Sequence, residues 1–546
     1  MTSALHPPAT GPLSRLTGTR TLLRLALRRD RVVLPVWAGA LTWVLLQTAL
    51  AFRQLYDSAA ERAATVHSAN GNGSLRALYG PAYDSSVGGL LSWRMMAFGA
   101  VLAALMSMIL VVRHTREEEE TGRQELLSSG VVARHAPLAA ALSTATLANL
   151  LFAVLTVAGL VALGQPALGS TVLALALAGV GLVFAGVAAC AAQLTQSARL
   201  AKGLTGAVLG AAFALRAAGD ADSGTVDGST SPLSWLSPLG WAQQSRPYAG
   251  NHPGPLALLL VTALVLALAA HLAVTRRDVG ASFLATRPGP AVGRLGGTWA
   301  LSWRLQRGTL LGWAVGFALA GLLFGSMAEG AAELVGDNQA TRDIIARMGG
   351  RAGLTDAFLS AMVGVFGMVA AVYAVGAVLR CRSEESEGRA EALLAGALGR
   401  LEWAGSHLVY GLLGAPLLLA LAGASMGLAY GVSAGDPGAV GEVTVAALAQ
   451  APAVWTLTGI AVLVVGRWPR LSGAVWGLVG VVLAIGWLGP AVDLPQPLMD
   501  LAPFTHLPKL PGNAVSWPPY GWLTALGLAT TVAGLLGLRR RDLDLS

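Results

Sequence analysis

Residues 90–127 read LLSWRMMAFGAVLAALMSMILVVRHTREEEETGRQELL. The part up to Val112 carries a single charged residue, Arg94, and is long enough for a helix to cross a bilayer, which takes about 20 apolar residues. The part after Val112 is a loop with four consecutive glutamates, residues 117–120. An apolar run of this length followed by charged residues predicts a membrane-spanning α-helix that ends at a polar surface.

Runs of the same kind recur along the chain. Over all 546 residues, 54% are hydrophobic and 12% are charged, whereas soluble proteins average about 25% charged residues. This content excludes a disordered chain, and two cysteines exclude a disulfide scaffold. The predicted fold class is an all-α polytopic membrane protein with twelve transmembrane helices. The runs lie near 32–52, 90–112, 137–163, 170–192, 200–218, 254–274, 309–328, 357–379, 405–431, 442–465, 472–489 and 520–538.

The arginines orient these helices. With both termini inside, most of the 37 Lys and Arg residues fall in cytoplasmic segments, as the positive-inside rule requires. The net charge of +8 could also suggest a nucleic-acid partner, but orientation signals explain it better, and no nucleic-acid partner is expected. The sequence therefore predicts a multi-pass protein of the plasma membrane with both termini cytoplasmic.

The charged loop occurs twice. Residues 382–394 read RSEESEGRAEALL, and Gly388-Arg389 fall on Gly122-Arg123 when the loops are aligned. The sixth and twelfth runs are both followed by Arg-Arg-Asp, at 276–278 and 540–542. These matches predict two tandem halves of six helices each, facing the membrane in the same direction. The predicted domains are residues 1–274 with an interfacial helix at 14–30 and a charged loop at 113–136, a cytoplasmic linker at 275–298, and residues 299–546 with a charged loop at 380–404.

The two charged loops have two interpretations. They are either solvated turns or short helices that dock into two equivalent grooves of a dimeric soluble partner. In the second interpretation the glycines permit a turn, the charged residues set the register and the leucines anchor the element. The candidate docking residues are Glu119, Glu120, Gly122, Arg123, Glu125 and Leu127 in the first loop, and Glu385, Glu387, Gly388, Arg389, Glu391 and Leu393 in the second.

A second feature precedes the first run of each half. Leu16, Leu23 and Leu27 fall on one helical face, and this pattern is typical of a helix in the lipid headgroup layer, although the arginines could serve as orientation signals alone. The candidate interface residues are Arg20, Arg24 and Arg28 in the first half, and Trp299, Trp303 and Arg304 in the second.

The sequence has no signature of its own energy source. A P-loop needs Gly-x-x-x-x-Gly-Lys-Ser/Thr, and the only lysines, Lys202 and Lys509, are followed by glycine and leucine. No catalytic residue or metal ligand set is assigned. Ionisable residues within the runs are few, and Arg216 near a helix end is explained by snorkelling. A pump built on this chain would take its energy from a partner.

Twelve runs in two halves, each with an E-x-x-G-R-x-E-x-L-L-like loop after its second run, resemble the type-2 ABC exporter permeases, and within them the actinobacterial polyketide-antibiotic (tetronasin-type) exporters. The resemblance implies a non-catalytic subunit whose loops are coupling helices. They would dock on two copies of a separate nucleotide-binding subunit, which carries the ATP and Mg²⁺. It also implies short external helical elements at 231–241 and 500–511. The two loops differ in sequence, so strict two-fold symmetry is not expected.

Two other functions remain open at this level. One is a secondary, proton-coupled drug efflux carrier, which normally buries acidic groups at mid-membrane. The other is a membrane scaffold or lipid-modifying enzyme.

The apolar helix surfaces favour a lipophilic or amphipathic, drug-like substrate, and a substrate route between the two halves is expected.

Overall fold

The computed structural model describes residues 16–56, 58–222, 231–278, 280–284, 296–335, 353–488 and 494–542. All regular elements within these ranges are helices. Eleven of these helices are long and apolar enough to cross a membrane. The protein is therefore an all-α polytopic membrane protein, as the hydropathy pattern predicts.

The chain forms two compact units, Met1–Pro288 and Gly289–Ser546. Their boundary falls within the predicted linker 275–298, of which residues 285–295 lie outside the described residues. Residues 14 and 15, where the predicted interfacial helix begins, also lie outside them.

The first unit has thirteen helices among its described residues. Proline stands in the first turn of several of them, where its missing N–H has no helical partner to lose. The helices are α1 (Thr19–Arg29), α2 (Val33–Leu55), α3 (Ala59–Gly71), α4 (Gly73–Tyr79), α5 (Val87–Arg113), α6 (Arg116–Glu120), α7 (Arg123–Ser128), α8 (Ala136–Ala162), α9 (Ala167–Leu194), α10 (Ala198–Asp222), α11 (Pro232–Trp235), α12 (Pro238–Gln244) and α13 (Gly254–Val274).

The second unit repeats this order with fewer breaks. Its described helices are α14 (Thr298–Val335), α15 (Leu354–Ser386), α16 (Arg389–Leu394), α17 (Arg400–Ala434), α18 (Ala439–Leu448), α19 (Ala451–Arg467), α20 (Ala474–Leu488), α21 (Gln496–Met499) and α22 (Pro518–Arg540), with 3₁₀ turns at Pro469–Leu471 and Pro503–His506. The short elements at 232–244 and 496–506 lie where external helical elements are expected.

Two of the membrane spans predicted from the sequence differ from the helices that the structure shows. The predicted span 472–489 corresponds to α20, whose 15 described residues are fewer than the roughly 20 that cross a bilayer straight; residue 489 lies outside the described residues. The predicted span 442–465 is two helices, α18 and α19, because the chain turns at Ala449 and Gln450, and Pro452 lies in the first turn of α19. Among the described residues, eleven helical stretches rather than twelve are long enough to span, and α18 and α19 together, Ala439–Arg467, form one of them.

The predicted interface helices differ between the halves. In the first unit α1 is separate from α2, and the break at Asp30 is fixed by a buried carboxylate that lies 3.0 Å from the guanidinium of Arg113 and also contacts His114. In the second unit residues 299–304 belong to α14, which continues into the membrane without a break. Among the described residues, a separate helix before the first membrane-spanning helix thus forms in the first half only.

Small residues allow close helix packing in the second unit. Helices α19 and α22 approach so closely that a Cβ on Gly466 would lie 2.0 Å from the carbonyl oxygen of Gly534. Gly459 meets the backbone of Gly527 in the same way. Glycine pairs of this kind bring helix backbones into van der Waals contact in membrane proteins. The C-terminal end of α22, which Arg541 follows, is thereby held next to α19.

Candidate functional site at the charged loops

Each charged loop contains a short helix that begins at a left-handed glycine. Gly122, with φ of +70°, precedes α7, and Gly388, with φ of +72°, precedes α16. A Cβ at either position would meet no atom of the described residues within 4 Å. The left-handed backbone, and not crowding, is therefore what favours glycine here.

The two loops enter this turn differently. In the first unit the chain breaks after α5 at His114 and Thr115, and α6 forms a separate turn of helix. In the second unit α15 runs from the membrane to Ser386 without a break. The expected departure from strict two-fold symmetry is thus visible in the backbone of the loops.

The arginine after each glycine folds back across the turn. Arg123 Nη1 lies 3.3 Å from a carboxylate oxygen of Glu118, and Arg389 Nε donates to Glu384 at 2.6 Å. Arg389 also pairs with Glu387, and these two carboxylates raise the pKa of its guanidinium. The side chains of Arg123 and Arg389 remain 51% and 48% exposed. Each turn is therefore closed by its arginine, which still presents donors to solvent.

Glu119 and Glu385 point into their own units. Glu119 accepts hydrogen bonds from Arg277 at 2.6 and 2.9 Å, and Glu385 accepts from Arg541 at 2.5 and 2.7 Å. Their side chains are 12% and 1% exposed. Sequence reasoning grouped them with the docking residues, but the structure places both carboxylates in internal ion pairs.

Glu120 and its neighbour Glu117 tie the first loop to α10. Glu120 accepts a hydrogen bond at 2.9 Å from the backbone N–H of Ala198, the first residue of that helix, where a negative charge is favourable. Glu117 pairs with Lys202 one turn further on. Glu120 is therefore exposed yet partly committed to holding the loop against the membrane helix.

The outward surface of each loop helix carries a glutamate. Glu125 and Glu391 are both exposed. Leu127 and Leu393, the predicted anchors, are half-buried, and Leu393 packs against the cluster around Trp403 in its own unit. Leu126 is instead 76% exposed. The role of Leu127 and Leu393 as anchors stays a prediction, and Leu126 is the leucine of the first pair that is exposed, because two adjacent leucines give no indication of which one faces the protein.

The first loop also borders a cavity of about 270 Å³ between α1, α7 and α8. Its lining is mostly apolar and includes Leu22, Leu25, Ala26, Leu127, Pro137 and Ala140. Arg29 and Glu118, which form an ion pair, also line it. A cavity with apolar and charged lining residues suits an amphipathic side chain or helix of a partner.

The predicted interface residues are placed at the surface. Leu27 is half-buried against the core of the first unit, whereas Arg20, Arg24 and Arg28 are exposed. In the second unit Trp299, Trp303 and Arg304 are exposed on the first turns of α14. Both sets keep the amphipathic arrangement that a headgroup-layer segment needs.

One pair of charged residues within a membrane helix corrects the sequence analysis. Arg216 does not snorkel: it is fully buried, and its Nη1 lies 3.4 Å from Asp220, one helical turn along α10. Asp220 also accepts from Ser234 at 2.6 Å. This buried acid was missed because it lies beyond the apolar run, and it is held in a fixed ion pair.

Comparison with known proteins identifies the family. The family model described as the C-terminal domain of the multidrug efflux system permease Rv1217c matches residues 295–539. Over 533 residues the chain is 43% identical to the multidrug efflux system permease protein Rv1217c of Mycobacterium tuberculosis (strain ATCC 25618 / H37Rv). The matched region covers 97% of this chain and 96% of the relative. With this similarity over nearly its whole length and its many apolar helices, the chain belongs to the family of multidrug efflux permeases.

Proposed function

We propose that the chain is the membrane subunit of an ATP-driven ABC exporter. It moves lipophilic or amphipathic, antibiotic- or drug-like compounds out of the cell. Two copies of a separate nucleotide-binding subunit, which binds ATP and Mg²⁺, supply the energy, and this chain has no cofactor or catalytic residue of its own. The family relationship to a multidrug efflux permease supports the direction and the substrate class.

The repeated loop helix is the observation that carries this proposal. Helices α7 and α16 each begin at a left-handed glycine, are closed by an arginine and present an exposed glutamate, at the same place in two tandem halves. A rigid, charged element that occurs twice fits a partner with two equivalent grooves. The same arrangement agrees with the resemblance to type-2, tetronasin-type exporters.

The surface offered to the partner is narrower than the sequence suggests. In the first half it comprises Arg123, Glu125 and Leu126, with the neighbouring cavity beside α1. In the second half it comprises Arg389 and Glu391, and Ala392 takes the place of Leu126. The first loop therefore offers the larger apolar contact, and we expect it to contribute more affinity than the second.

The orientation follows from the arginines. Both termini and both charged loops lie in the cytoplasm, where a soluble ATPase reaches α7 and α16. The protein resides in the plasma membrane as a multi-pass subunit.

A proton-coupled carrier is the alternative mechanism, and Asp220 is the buried acid that would favour it. Its carboxylate is paired with Arg216 and accepts from Ser234, so protonation would have to break an internal network. Asp220 is therefore better explained as a structural ion-pair partner that keeps the end of α10 rigid, which the membrane subunit of an ATP-driven exporter can accommodate.

Co-purification tests the proposal. The full chain is expressed with a candidate soluble P-loop ATPase subunit, and any complex is isolated through a tag on the permease. We expect two ATPase subunits per permease and ATP hydrolysis that a lipophilic substrate stimulates. A permease that is isolated without ATPase and moves substrate with a proton gradient alone would contradict the proposal.

A further inference from the structure

A network of four charged residues recurs in both units at the cytoplasmic ends of the membrane helices. Each network has one glutamate from the charged loop and three arginines: one at the start of the loop, one just before the third or ninth membrane helix, and one after the last helix of the half. The residues are Arg116, Glu119, Arg134 and Arg277 in the first unit, and Arg382, Glu385, Arg400 and Arg541 in the second. We call each set an ion latch.

In the first unit Glu119 lies at the centre of the latch. Arg277 donates to it through two nitrogens, at 2.6 and 2.9 Å, and Arg116 donates to it at 2.6 Å. Arg134 donates to the backbone carbonyl of Arg277. The backbone N–H of Gly280 adds a contact at 3.3 Å. The glutamate thus joins the start of α6, the short helix to which it belongs, to the segment after α13.

In the second unit Glu385 holds the same position. Arg541 donates to it at 2.5 and 2.7 Å, and Arg382 Nη1 lies 3.6 Å away. Arg400 donates to the backbone carbonyl of Arg541, as Arg134 does to Arg277. The two-nitrogen contact of Arg541 with the glutamate and the contact of Arg400 with a backbone carbonyl thus repeat those of Arg277 and Arg134, while Arg382 lies further from its glutamate than Arg116 does.

Each latch also reaches the carboxyl end of a fourth membrane helix. Arg116 Nε donates to the carbonyl of Ala192 near the end of α9, at 3.0 Å, and Arg541 contacts the carbonyl of Val465 near the end of α19, at 3.3 Å. The last carbonyls of a helix have no helical partner and carry partial negative charge, so a guanidinium is well placed there. One glutamate therefore gathers the ends of four membrane helices.

Buried ion pairs add little net stability compared with apolar packing, but they fix one geometry. We propose that each ion latch makes its charged loop and the cytoplasmic helix ends one rigid unit, so that a displacement of the loop moves the helices. Glu119 and Glu385 are then positioning residues for transport. This role rests on the proposed function, because the ATPase is what moves the loop.

Spin-label distances in the isolated full chain test the rigidity without any ATPase. Cys190 and Cys381 are replaced by alanine, and labels are placed on exposed residues, at Leu126 and Thr275 in the first unit or at Ala392 and Arg540 in the second. We expect one narrow distance distribution in each parent protein. Glu119→Gln broadens the first pair only, and Glu385→Gln the second pair only.

Glu402→Gln is the matched control, because Glu402 is exposed on the first turn of α17 and lies outside both latches. It should leave both distributions narrow. Arg541→Gln removes the other partner of the same ion pair, so it should broaden the second distribution only, and it serves if Glu385→Gln aggregates. Distributions that stay narrow in both Glu→Gln variants, or in Arg541→Gln, would overturn the latch.

A functional measurement separates transmission from folding. With the ATPase present, efflux per correctly folded permease should fall at least about fivefold in Glu119→Gln and Glu385→Gln, and stay at the parent level in Glu402→Gln. If Glu119 and Glu385 serve only the folding of the permease, the variants would reduce the amount of folded protein and leave efflux per folded molecule unchanged. That result would contradict the proposal that the latch transmits a displacement of the loop to the helices. If the parent protein assembles with no ATPase, the proposed function fails, and the spin-label distances still decide whether the latch is rigid.

Discussion

Gly122 and Gly388 share one backbone conformation, with φ of +70° and +72°, at the start of the equivalent helices α7 and α16. The two positions are 266 residues apart in the chain, and the same turn has formed at both. This equivalence makes the loops a pair of matched elements, so each substitution in one loop has a counterpart in the other.

Alanine at these glycines should weaken ATPase binding. A non-glycine residue in the left-handed region costs about 1–2 kcal/mol, so Gly122→Ala and Gly388→Ala should displace the loop helix from its docking position. The affinity of the purified permease for the ATPase measures this effect. Gly130→Ala and Gly396→Ala are the controls, because these equivalent glycines close the same loops without positive φ. Equal affinities for all four variants would refute a role for the turn.

Reversing the exposed glutamates should disrupt docking without disturbing the fold. Glu125 and Glu391 are exposed on α7 and α16, so Glu125→Arg and Glu391→Arg change the charge offered to the partner. We expect the affinity for the ATPase to fall about tenfold or more, which corresponds to about 1.4 kcal/mol, while thermal unfolding of the permease alone is unchanged. Wild-type affinity in both variants would mean that these loops are solvated turns.

Labelling of single cysteines tests the orientation. In a background without Cys190 and Cys381, a cysteine at the exposed Ser516 should react with an impermeant maleimide added to whole cells, because the proposed orientation places the segment before α22 outside. A cysteine at Ser386, at the end of α15, should react only after the cells are opened. The reverse pattern would invert the topology and place the charged loops outside.

Close packing of α19 against α22 predicts a loss of stability in Gly466→Ala. The new Cβ would meet the carbonyl oxygen of Gly534 at 2.0 Å, so the helices must separate, at a cost of about 1–3 kcal/mol. The midpoint of thermal unfolding in detergent measures this loss. Gly477→Ala on α20 is the control, because a Cβ there meets no atom of the described residues within 4 Å. An unchanged midpoint for Gly466→Ala would contradict the packing.

The sequence predicts most membrane helices because their length and apolar content do not depend on tertiary contacts. It also predicts the two loop helices, since Gly122 and Gly388 interrupt otherwise helix-favouring residues. It does not separate Glu119 from its neighbours. Four consecutive glutamates are chemically identical, and only the position of Arg277, far along the chain, determines which carboxylate turns inward.

The interface segments illustrate a similar limit. The leucine and arginine spacing before α2 and the tryptophans before α14 suggest the same headgroup-layer helix, yet only α1 is separate. The break depends on Asp30, whose buried carboxylate contacts Arg113 and His114 from another helix. A hydropathy pattern contains no information about such a tertiary contact.

Substrate efflux from proteoliposomes tests the central claim most directly. The permease is reconstituted with its ATPase, a lipophilic fluorescent drug is added, and transport is followed after addition of Mg²⁺ and ATP, or of a proton gradient without nucleotide. We predict transport with ATP and none with the proton gradient, and loss of transport when the ATPase is omitted. Transport by the permease alone, driven by the proton gradient, would contradict the account.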